Sequence, residues 1–450
     1  MTESKQSYSD PTDPDGSRAT DASYHQQSPG ATSDVPLSEP EKAPPKTDQA
    51  HLMATRPNGG WQAWLQVACG FFLFLNTYGL INTFGIYQNY YTTQYHFDPS
   101  RASLIGGIQT FLLFFASGAA GPLYDAGHSR FLVTAGALLI VFGTMMQSLC
   151  KEYWQFVLAE SICIGLGGGL TSFLAPAVLS TYFTSLYPLA VGIAASGTGI
   201  GGIILPIVFR QLQPKIGFGW TVRVIGFILL ATLMLPVAFL RPRMIPGASR
   251  KAIDKTAFTD WPYVIFLIGN FIYLLGGFTP FFYVQVYAVE EHIADENLSF
   301  YIIAIMNATS AIGRVLPNFL SPYTGPFNMC LISCVLTFVF AFAFEGAKSA
   351  ASLIVVSAFY GGVSGLFFAL QPVTVISLSP DPKLIGTRVG MAFCFLSFAV
   401  LASNPVAGAI QPSAGYSGVW IWTGVTTAVG TVIMAGARLL KTKGVLMMKA

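Results

Sequence analysis

The chain has 450 residues, of which 53% are hydrophobic and only 10% are charged. A soluble globular domain carries about 25% charged residues, so this chain has too few charges to cover a surface in water, and we expect its excess apolar side chains to face lipid. The net charge of +3 is too small to indicate a nucleic-acid partner. The composition therefore predicts a membrane protein whose partner is the lipid bilayer.

The sequence offers no pattern for a metal, a cofactor or ATP. The six cysteines form no C-x-x-C pair, the five histidines form no H-x-x-x-H pair, and no G-x-x-x-x-G-K-[ST] motif occurs. An enzyme in the membrane would need clustered His, Asp or Cys near the membrane faces. We therefore expect no cofactor, no metal, no direct use of ATP and no enzymatic activity.

Residues 1–57 are rich in Ser, Pro, Asp, Thr and Gln and hold almost no aliphatic residues. Such a segment cannot bury enough apolar surface to fold, so it is predicted to be a disordered cytoplasmic tail. It lacks the basic start and apolar core of a signal peptide, and the first span is expected to act as its own insertion signal. A membrane protein that only senses a solute, without transporting it, is a minor alternative for this chain. Such a sensor would be expected to carry a longer extension with motifs of its own.

From Trp61 onward, apolar runs of roughly 18–25 residues alternate with short polar breaks, and this length matches a hydrocarbon core about 30 Å thick. The pattern predicts an all-α membrane protein with twelve transmembrane helices. The predicted spans are 64–87, 101–122, 131–149, 153–177, 188–210, 222–240, 261–286, 299–320, 327–345, 350–378, 387–410 and 417–437.

The basic break at 241–260 predicts a cytoplasmic linker between an N-terminal six-helix half, 58–240, and a C-terminal six-helix half, 261–437. The halves echo each other, because GLTSFLAPAV (169–178) and GLFFALQPVT (365–374) share Gly, Leu, Leu and Pro at identical offsets. Duplicated six-helix halves are typical of secondary transporters, which bind substrate at mid-membrane between the halves.

The basic residues predict that both termini are cytoplasmic, with residues 438–450 as a second tail. With the N-terminus inside, the positive-inside rule is satisfied, since the outer loop 287–298 has four acids and no Lys or Arg. The inner flanks hold Lys46, Arg56, Arg130, Arg241, Arg243, Arg250, Lys251, Lys255, Lys383, Arg388, Arg438, Lys441, Lys443 and Lys449. The outer flanks hold Arg101, Lys151, Arg210, Lys215, Arg223 and Lys348.

The turn GPLYDAGHSR (121–130) between the second and third spans is predicted to act as a conformational switch. Gly121 allows two helices to approach closely, while Asp125 and Arg130 place opposite charges at the membrane edge. Asp125 can cap the amides of the next helix or pair with a basic group, and such a contact can form in one conformation and break in another. The alternative is an ordinary polar turn.

Two charged residues stand out because they lie away from the ends of predicted spans, where an ionised side chain costs about 2.5–3.5 kcal/mol and so marks function. Arg314 lies in span eight; its guanidinium stays charged and can bind a carboxylate through two hydrogen bonds. The alternative for Arg314 is a structural ion pair near the inner face.

Glu160 lies in span four and is the candidate for coupling to a proton. The alternatives are that its side chain reaches the outer headgroups or pairs with a neighbouring helix. Other polar residues within spans, which line a cavity or bond between helices, are Asn76, Gln109, Thr171, Gln285, Asn307, Gln371 and Asn404.

The stretch GTGIGG (197–202) has the spacing of a dinucleotide-binding turn, G-x-G-x-x-G. That turn needs a strand before it and an acidic residue about 20 positions later, whereas this stretch is flanked by apolar helix and followed by GFGWTV at 217–222. We predict a helix-packing face instead, built from small residues at three- and four-residue steps. Its predicted members are Gly192, Gly197, Gly199 and Gly202.

The turn at 121–130 resembles the loop signature of the major facilitator superfamily, G-x-x-x-D-x-x-G-R-[KR], matched at Gly121, Asp125 and Arg130. GRVLPNFLSPYTGPFN (313–328) is similar to a degraded copy with Pro322 at the Asp position, which implies an asymmetric switch. NGGWQAWLQV (58–67) and YFTSLYPLAVGIAASGTGIGG (182–202) resemble signatures of the monocarboxylate porter family, most like its fungal members. Asn58 stands where the family has an acid, and Ser185 and Leu186 stand where it has a basic pair.

The resemblance, over about residues 57–440, implies a secondary transporter that moves a small organic acid or carboxylated metabolite by alternating access. The alternative that it leaves open is an exporter of a fungal secondary metabolite, and the plasma membrane is the family's usual location. Arg314 matches the family's substrate-binding arginine and Tyr78 a substrate-lining tyrosine. Asn82 and Ser310 stand where proton-coupled members have a lysine and an aspartate, so the usual proton relay is missing. The predicted substrate contacts are Arg314, Tyr78, Asn82, Ser310 and Gln371.

Overall fold

The structure, a computed structural model, describes residues 58–243, 253–379 and 384–445. Within these ranges every regular element is a helix, which confirms the all-α prediction, and ten helices are long and apolar enough to cross a membrane. The predicted tail, residues 1–57, lies outside these ranges. The ten helices are α1 Trp61–Gln94, α2 Pro99–Asp125, α3 Ser129–Gln147, α4 Tyr153–Leu179, α5 Tyr187–Phe239, α6 Trp261–Glu290, α7 Glu296–Phe319, α8 Pro326–Gly346, α9 Ala350–Ser377 and α10 Ile385–Lys441.

Helices α5 and α10 contain 53 and 57 residues, and each is broken by one glycine outside helical conformation. Gly217 has φ 75° and Gly415 has φ 64°, values in the left-handed region that favours glycine. A straight helix of this length would be about 80 Å long at 1.5 Å per residue, more than twice the thickness of a hydrocarbon core. Both glycines lie in breaks that the sequence predicts between spans.

Contacts with neighbouring helices show that the chain reverses direction at both glycines. Along α5, the contacting residues of α1 have increasing residue numbers up to Gly217 and decreasing ones after it. Along α10, the contacting residues of α6 follow the same order around Gly415. On α5 the pairs are Gly197 with Phe71, Gly202 with Asn82, Thr232 with Asn76 and Phe239 with Gln66. On α10 they are Arg388 with Tyr263, Asn404 with Tyr283, Thr423 with Gly276 and Gly430 with Gly269.

Several helices change their winding along their length. In α4, an eight-residue π-helical segment at Val157–Ile164 is followed by α-helical segments Gly165–Ser172 and Leu174–Leu179. Helix α6 is interrupted at Phe278, and α7 and α8 end in 3-10 turns at Leu316–Phe319 and Phe344–Gly346. Between the long helices lie a 3-10 turn at Lys255–Thr259 and a short helix at Ser321–Thr324.

The helix ends gather at two ends of the bundle. At one, here named the Asp125 end, Asp125 lies beside Gly386, and Gln66 lies beside Phe239 and the backbone of Arg241. At the other, here named the Glu296 end, the contacts are Tyr95 with Cys150, Arg210 with Asn297, Tyr287 with Ala347 and Tyr416 with Glu290. The turns before and after each helix therefore alternate between two faces, as in a multi-pass membrane protein.

Large apolar side chains cover the outside of the bundle. Phe142, Phe227, Phe359 and Val432 are each more than half exposed. In water such a surface would promote aggregation, whereas hydrocarbon accommodates it without loss. The outer face thus fits the lipid environment that the composition predicts.

The candidate substrate cavity

A cavity lies between the N-terminal helices α1–α5 and the C-terminal helices α6–α10, with about 920 Å³ of empty space that includes its opening to solvent. Its wall is mostly aromatic and aliphatic, with a few polar side chains. The apolar and glycine residues are Phe74, Tyr78, Ile81, Gly107, Phe114, Pro176, Phe278, Phe281, Phe282, Phe368, Pro372, Phe393 and Val400; the polar ones are Asn82, Thr110, Ser172, Thr198, Arg314, Gln371, Ser403 and Asn404.

Arg314 is the cationic side chain of this wall. It is 6% exposed, its Nη1 donates to the backbone oxygen of Ala195 over 2.7 Å, and its Nε has no partner. The two ion pairs found among the described residues both belong to Arg388, so no carboxylate in those ranges neutralises Arg314. The structural ion pair considered from the sequence is absent from this part of the chain. A buried guanidinium with an N–H group that lacks a partner can donate hydrogen bonds to an anion.

Of the other predicted substrate contacts, Tyr78, Asn82 and Gln371 line the cavity with Arg314. The Tyr78 ring stacks on Phe74, with centroids 5.7 Å apart. Asn82 is not free, because its Nδ2 donates to Asn307 Oδ1 over 2.8 Å and joins α1 to α7. The Nε2 atom of Gln371 is buried and has no partner in the described residues.

The assignment of Ser310 to the substrate site requires a correction. Ser310 is buried and packs against Gly365 of α9, and it is not among the described residues that line the cavity. It lies one helical turn from Arg314, on a side of α7 that faces α9. Sequence spacing places the two residues on similar faces, but the close contact between α7 and α9 removes Ser310 from the cavity wall.

A second space of about 1710 Å³ adjoins the cavity and is here named the vestibule. Asn82, Phe281 and Phe282 line both spaces, so they form the neck between them. The vestibule is lined farther out by Glu290 and Glu296, residues of the Glu296 end. The cavity is therefore approached from that end of the bundle.

At the opposite end, Asp125 closes the contact between the two halves. Its carboxylate accepts hydrogen bonds from Gly386 N at 3.1 Å, Thr387 N at 2.6 Å and Thr387 Oγ1 at 2.8 Å. It therefore caps the N-terminus of α10, whereas the sequence suggested the amides of the next helix or a basic group as its partner. The caps that Asp residues usually form are local, and here the two partners are more than 250 residues apart. Arg130 is exposed, and within the described ranges no ion pair joins it to Asp125.

Arg388, in the first turn of α10, forms a clamp that the sequence did not reveal. Its Nε contacts Asp254 Oδ2 at 2.8 Å and its Nη1 contacts Asp260 Oδ2 at 2.7 Å. Burial tends to raise the pKa of Asp254, but hydrogen bonds from Thr256 and Arg388 outweigh it and hold that pKa below its ordinary value. The sequence does place Arg388, Asp254 and Asp260 near inner ends of predicted spans. It does not show that these three charges meet, and Arg388 alone serves there as evidence of orientation.

The glycines of the GTGIGG region lie in α5 and face two different helices. A Cβ at Gly192, Gly199 or Gly202 would meet α7, at the Arg314 carbonyl, the Asn307 carbonyl and the Asn307 side chain respectively. A Cβ at Gly197 would instead meet the Phe71 carbonyl on α1. Gly121 similarly faces the Gly386 carbonyl of α10. Glycine contacts thus join the halves along α5–α7 and α2–α10.

Glu160 lies away from the cavity, on the π-helical segment of α4. It is 2% exposed, and its Oε2 accepts a hydrogen bond of 2.6 Å from the Tyr91 hydroxyl, to which Gln147 Nε2 donates over 2.8 Å. The side chain therefore neither reaches the headgroups nor lines the cavity, and it belongs to a buried network that joins α4, α1 and α3.

The two stretches that resemble monocarboxylate porters contact each other through Asn58. Its Nδ2 donates to Ser185 Oγ over 2.7 Å, and its Oδ1 accepts from Thr184 N over 2.7 Å. The residues that replace the family's acid and basic pair thus form a neutral hydrogen-bonded contact at the start of α5.

Comparison with known proteins identifies the family. The model of the Major Facilitator Superfamily matches residues 67–381. The MFS-type transporter dbaD of Emericella nidulans is 40% identical over 382 residues, 84% of this chain and 86% of the relative. The aspyridones efflux protein apdF of the same species is 36% identical over 408 residues, 89% of this chain and 82% of the relative.

Solved structures share the fold. The human organic anion transporter MFSD10 (TETRAN) superposes with a TM-score of 0.64 at 11% identity, covering 85% of this chain and 99% of that chain. The E. coli fucose:proton symporter FucP superposes with a TM-score of 0.63 at 15% identity, covering 83% and 98%. The chain therefore belongs to the major facilitator superfamily of membrane transporters.

Proposed function

We propose that this protein transports an organic acid with an apolar body, and that Arg314 binds its carboxylate. The observation that carries the proposal is a buried guanidinium in an aromatic cavity, with a free N–H group and no carboxylate partner in the described residues. An uncompensated buried charge is unfavourable, and an anionic substrate relieves that cost. Tyr78, Asn82 and Gln371 complete the substrate site.

The transport cycle proposed is alternating access between two six-helix halves, residues 58–240 and 261–437. The reversals at Gly217 and Gly415 support twelve crossings, because each of α5 and α10 then crosses twice. Basic residues near the Asp125 end support a cytoplasmic location for that end and for both termini. The structure then corresponds to an outward-facing state, open at the vestibule and closed by Asp125 on α10, with Gly121, Asp125 and Arg130 as the switch.

Export of a secondary metabolite across the plasma membrane is the direction we favour. The names of relatives support it, since one of them is an aspyridones efflux protein. The stretches at 58–67 and 182–202 support placement near the monocarboxylate porters. Glu160 is proposed to carry a coupled proton, because the family's usual lysine and aspartate positions are Asn82 and Ser310.

The test is binding and flux with purified protein in liposomes, using radiolabelled 2-naphthoate as an aromatic carboxylate probe. A hydrogen bond to a charged group contributes about 1.5–3 kcal/mol, so Arg314→Gln should weaken binding about 10- to 100-fold, and Arg314→Lys should restore it only partly. Arg210→Gln, an arginine outside the central cavity, is the matched control. Equal affinity in wild type and Arg314→Gln would refute the assignment.

A further inference from the structure

Besides Arg314, three residues of the C-terminal half line the cavity and carry a buried polar atom without a partner in the described residues: Gln371 at Nε2, Ser403 at Oγ and Asn404 at Oδ1. The side chains of Gln371 and Ser403 are only 4% and 1% exposed. A buried polar atom that makes no hydrogen bond costs about 1–3 kcal/mol, and native proteins rarely tolerate it without a function. Because the three residues line the cavity, a ligand group held there can supply the missing hydrogen bonds.

The internal repeat shows that Gln371 is not needed to build the helix at this point. Pro176 and Pro372 occupy the same offset in the repeated stretches, and both line the cavity. One residue earlier, the N-terminal half has Ala175, packed against Gly70, where the C-terminal half has Gln371. Alanine thus fits the position, and the amide of Gln371 is an addition specific to one side of the cavity.

The same cavity is lined by the aromatic rings of Phe278 and Phe368. Phe368, one helical turn before Gln371, stacks on Phe278 with centroids 4.6 Å apart and rings 21° from parallel. Such a surface fits an aromatic ring better than a flexible chain. Gln371 supplies an amide N–H donor and Asn404 an amide oxygen acceptor, a combination that suits a hydroxyl group, which accepts one hydrogen bond and donates another, and Ser403 Oγ does either.

We propose that Gln371, Ser403 and Asn404 form a subsite that recognises a hydroxyl group on an aromatic ring, so that the substrate class is hydroxylated aromatic acids. This inference rests on the proposed function, because Arg314 binds the carboxylate while the subsite binds a hydroxyl group at the other end of the molecule. Arg314 provides affinity for any aromatic acid, and the subsite provides the preference among them.

The experiment measures the affinity of purified protein for 6-hydroxy-2-naphthoate and 2-naphthoate, which differ by one hydroxyl. A site whose polar atoms would be left unpaired by the simpler acid should prefer the hydroxylated one about 10-fold or more. Gln371→Ala, which introduces the residue of the other half, should reduce the preference, measured as the ratio of the two affinities, to about 3-fold or less. Gln285→Ala in the vestibule is the matched control and should keep the full preference.

The outcomes separate the two proposals. Arg314→Gln should weaken both acids equally and keep their ratio. Equal affinity of the wild type for both acids, or an unchanged ratio in Gln371→Ala with an unchanged thermal midpoint, overturns the subsite and leaves the carboxylate site standing. Failure of the wild type to bind either acid overturns the proposed function and the subsite with it.

Discussion

Glu160 is the residue at which burial and charge are least easily reconciled. Its carboxylate receives a hydrogen bond from Tyr91, which itself receives one from Gln147. The other titratable groups close to it are Cys150 and Tyr87. The Tyr87 hydroxyl has no hydrogen-bond partner in the described residues. No cation is paired with Glu160 in the described ranges. A carboxyl in such surroundings is suited to hold and release a proton.

We therefore predict that Glu160→Gln abolishes stimulation of transport by a pH gradient while downhill exchange of substrate continues. Glutamine has the same volume and can still accept from Tyr91, so the change removes the proton site with little change in packing. The measurement is radiolabelled flux in liposomes with and without an imposed gradient. Glu345→Gln is the matched control, because that carboxylate bonds to Ser417 outside the cavity. Retained stimulation in Glu160→Gln assigns the carboxylate to structure alone.

At the scale of single elements, the sequence predicts helices well because a membrane imposes their length and apolarity. The run lengths place all ten helices, and the break YFTSLYP (182–188) predicts the gap between Leu179 and Tyr187. The π-helical segment at Val157–Ile164 is not predictable in this way, since its composition is that of any apolar helix. The partner of Asp125 was missed for a different reason: the contact is long-range, and spacing along the chain informs only about neighbours.

The glycine contact between α5 and α7 leads to a second prediction. A Cβ at Gly199 would lie 2.8 Å from the Ala311 Cβ and closer still to the Asn307 carbonyl. Gly199→Leu should therefore separate the helices and destabilise the fold by about 1–3 kcal/mol, the usual effect of overpacking. Gly436→Leu in α10 is the control, because nothing lies within 4 Å of a Cβ there. Equal thermal midpoints for the two variants would show that α5 and α7 do not need this close approach.

The cap on α10 leads to a third prediction. Replacement of an N-cap carboxylate by alanine costs about 0.5–2 kcal/mol, so Asp125→Ala should shift the balance toward the inward-open state about 2- to 30-fold. Cys394, which faces Gly118 across α2 and α10, reports this opening through its rate of alkylation once the other five cysteines are replaced. Asp98→Ala is the control, because Asp98 caps α2 at the other end of the bundle. An unchanged rate in Asp125→Ala would contradict the switch.

For the whole molecule, the candidate site was predictable in its chemistry but not in its connections. Arg314 and Tyr78 follow from a charge in an apolar span and from the family resemblance. The hydrogen bond between Asn82 and Asn307 depends instead on how the halves dock, which no single span encodes. The same holds for the clamp on Arg388, whose partners come from the linker and from the residue that precedes α6.

That clamp determines where the start of α10 lies when Asp125 meets it. Asp254 is buried and Asp260 is 24% exposed, so the two carboxylates should differ in importance. Loss of one partner of a buried pair costs about 3–5 kcal/mol, whereas an exposed pair contributes about 0–1 kcal/mol. We predict that Asp254→Asn raises the alkylation rate of Cys394 strongly and that Asp260→Asn raises it little.

The pH dependence of the clamp follows from the lowered pKa of Asp254. A carboxyl whose pKa is lower in the folded protein stabilises it above the ordinary pKa, and that contribution is lost as the pH falls through the lowered value. Between about pH 5 and 8 the carboxylate therefore stays ionised, and the Asp254-dependent protection of Cys394, taken as the ratio of rates in Asp254→Asn and wild type, should be constant. A ratio that falls as the pH is lowered from 8 to 5 would mean that Asp254 is protonated in this range, and the clamp would then be a pH-sensitive contact instead of a permanent one.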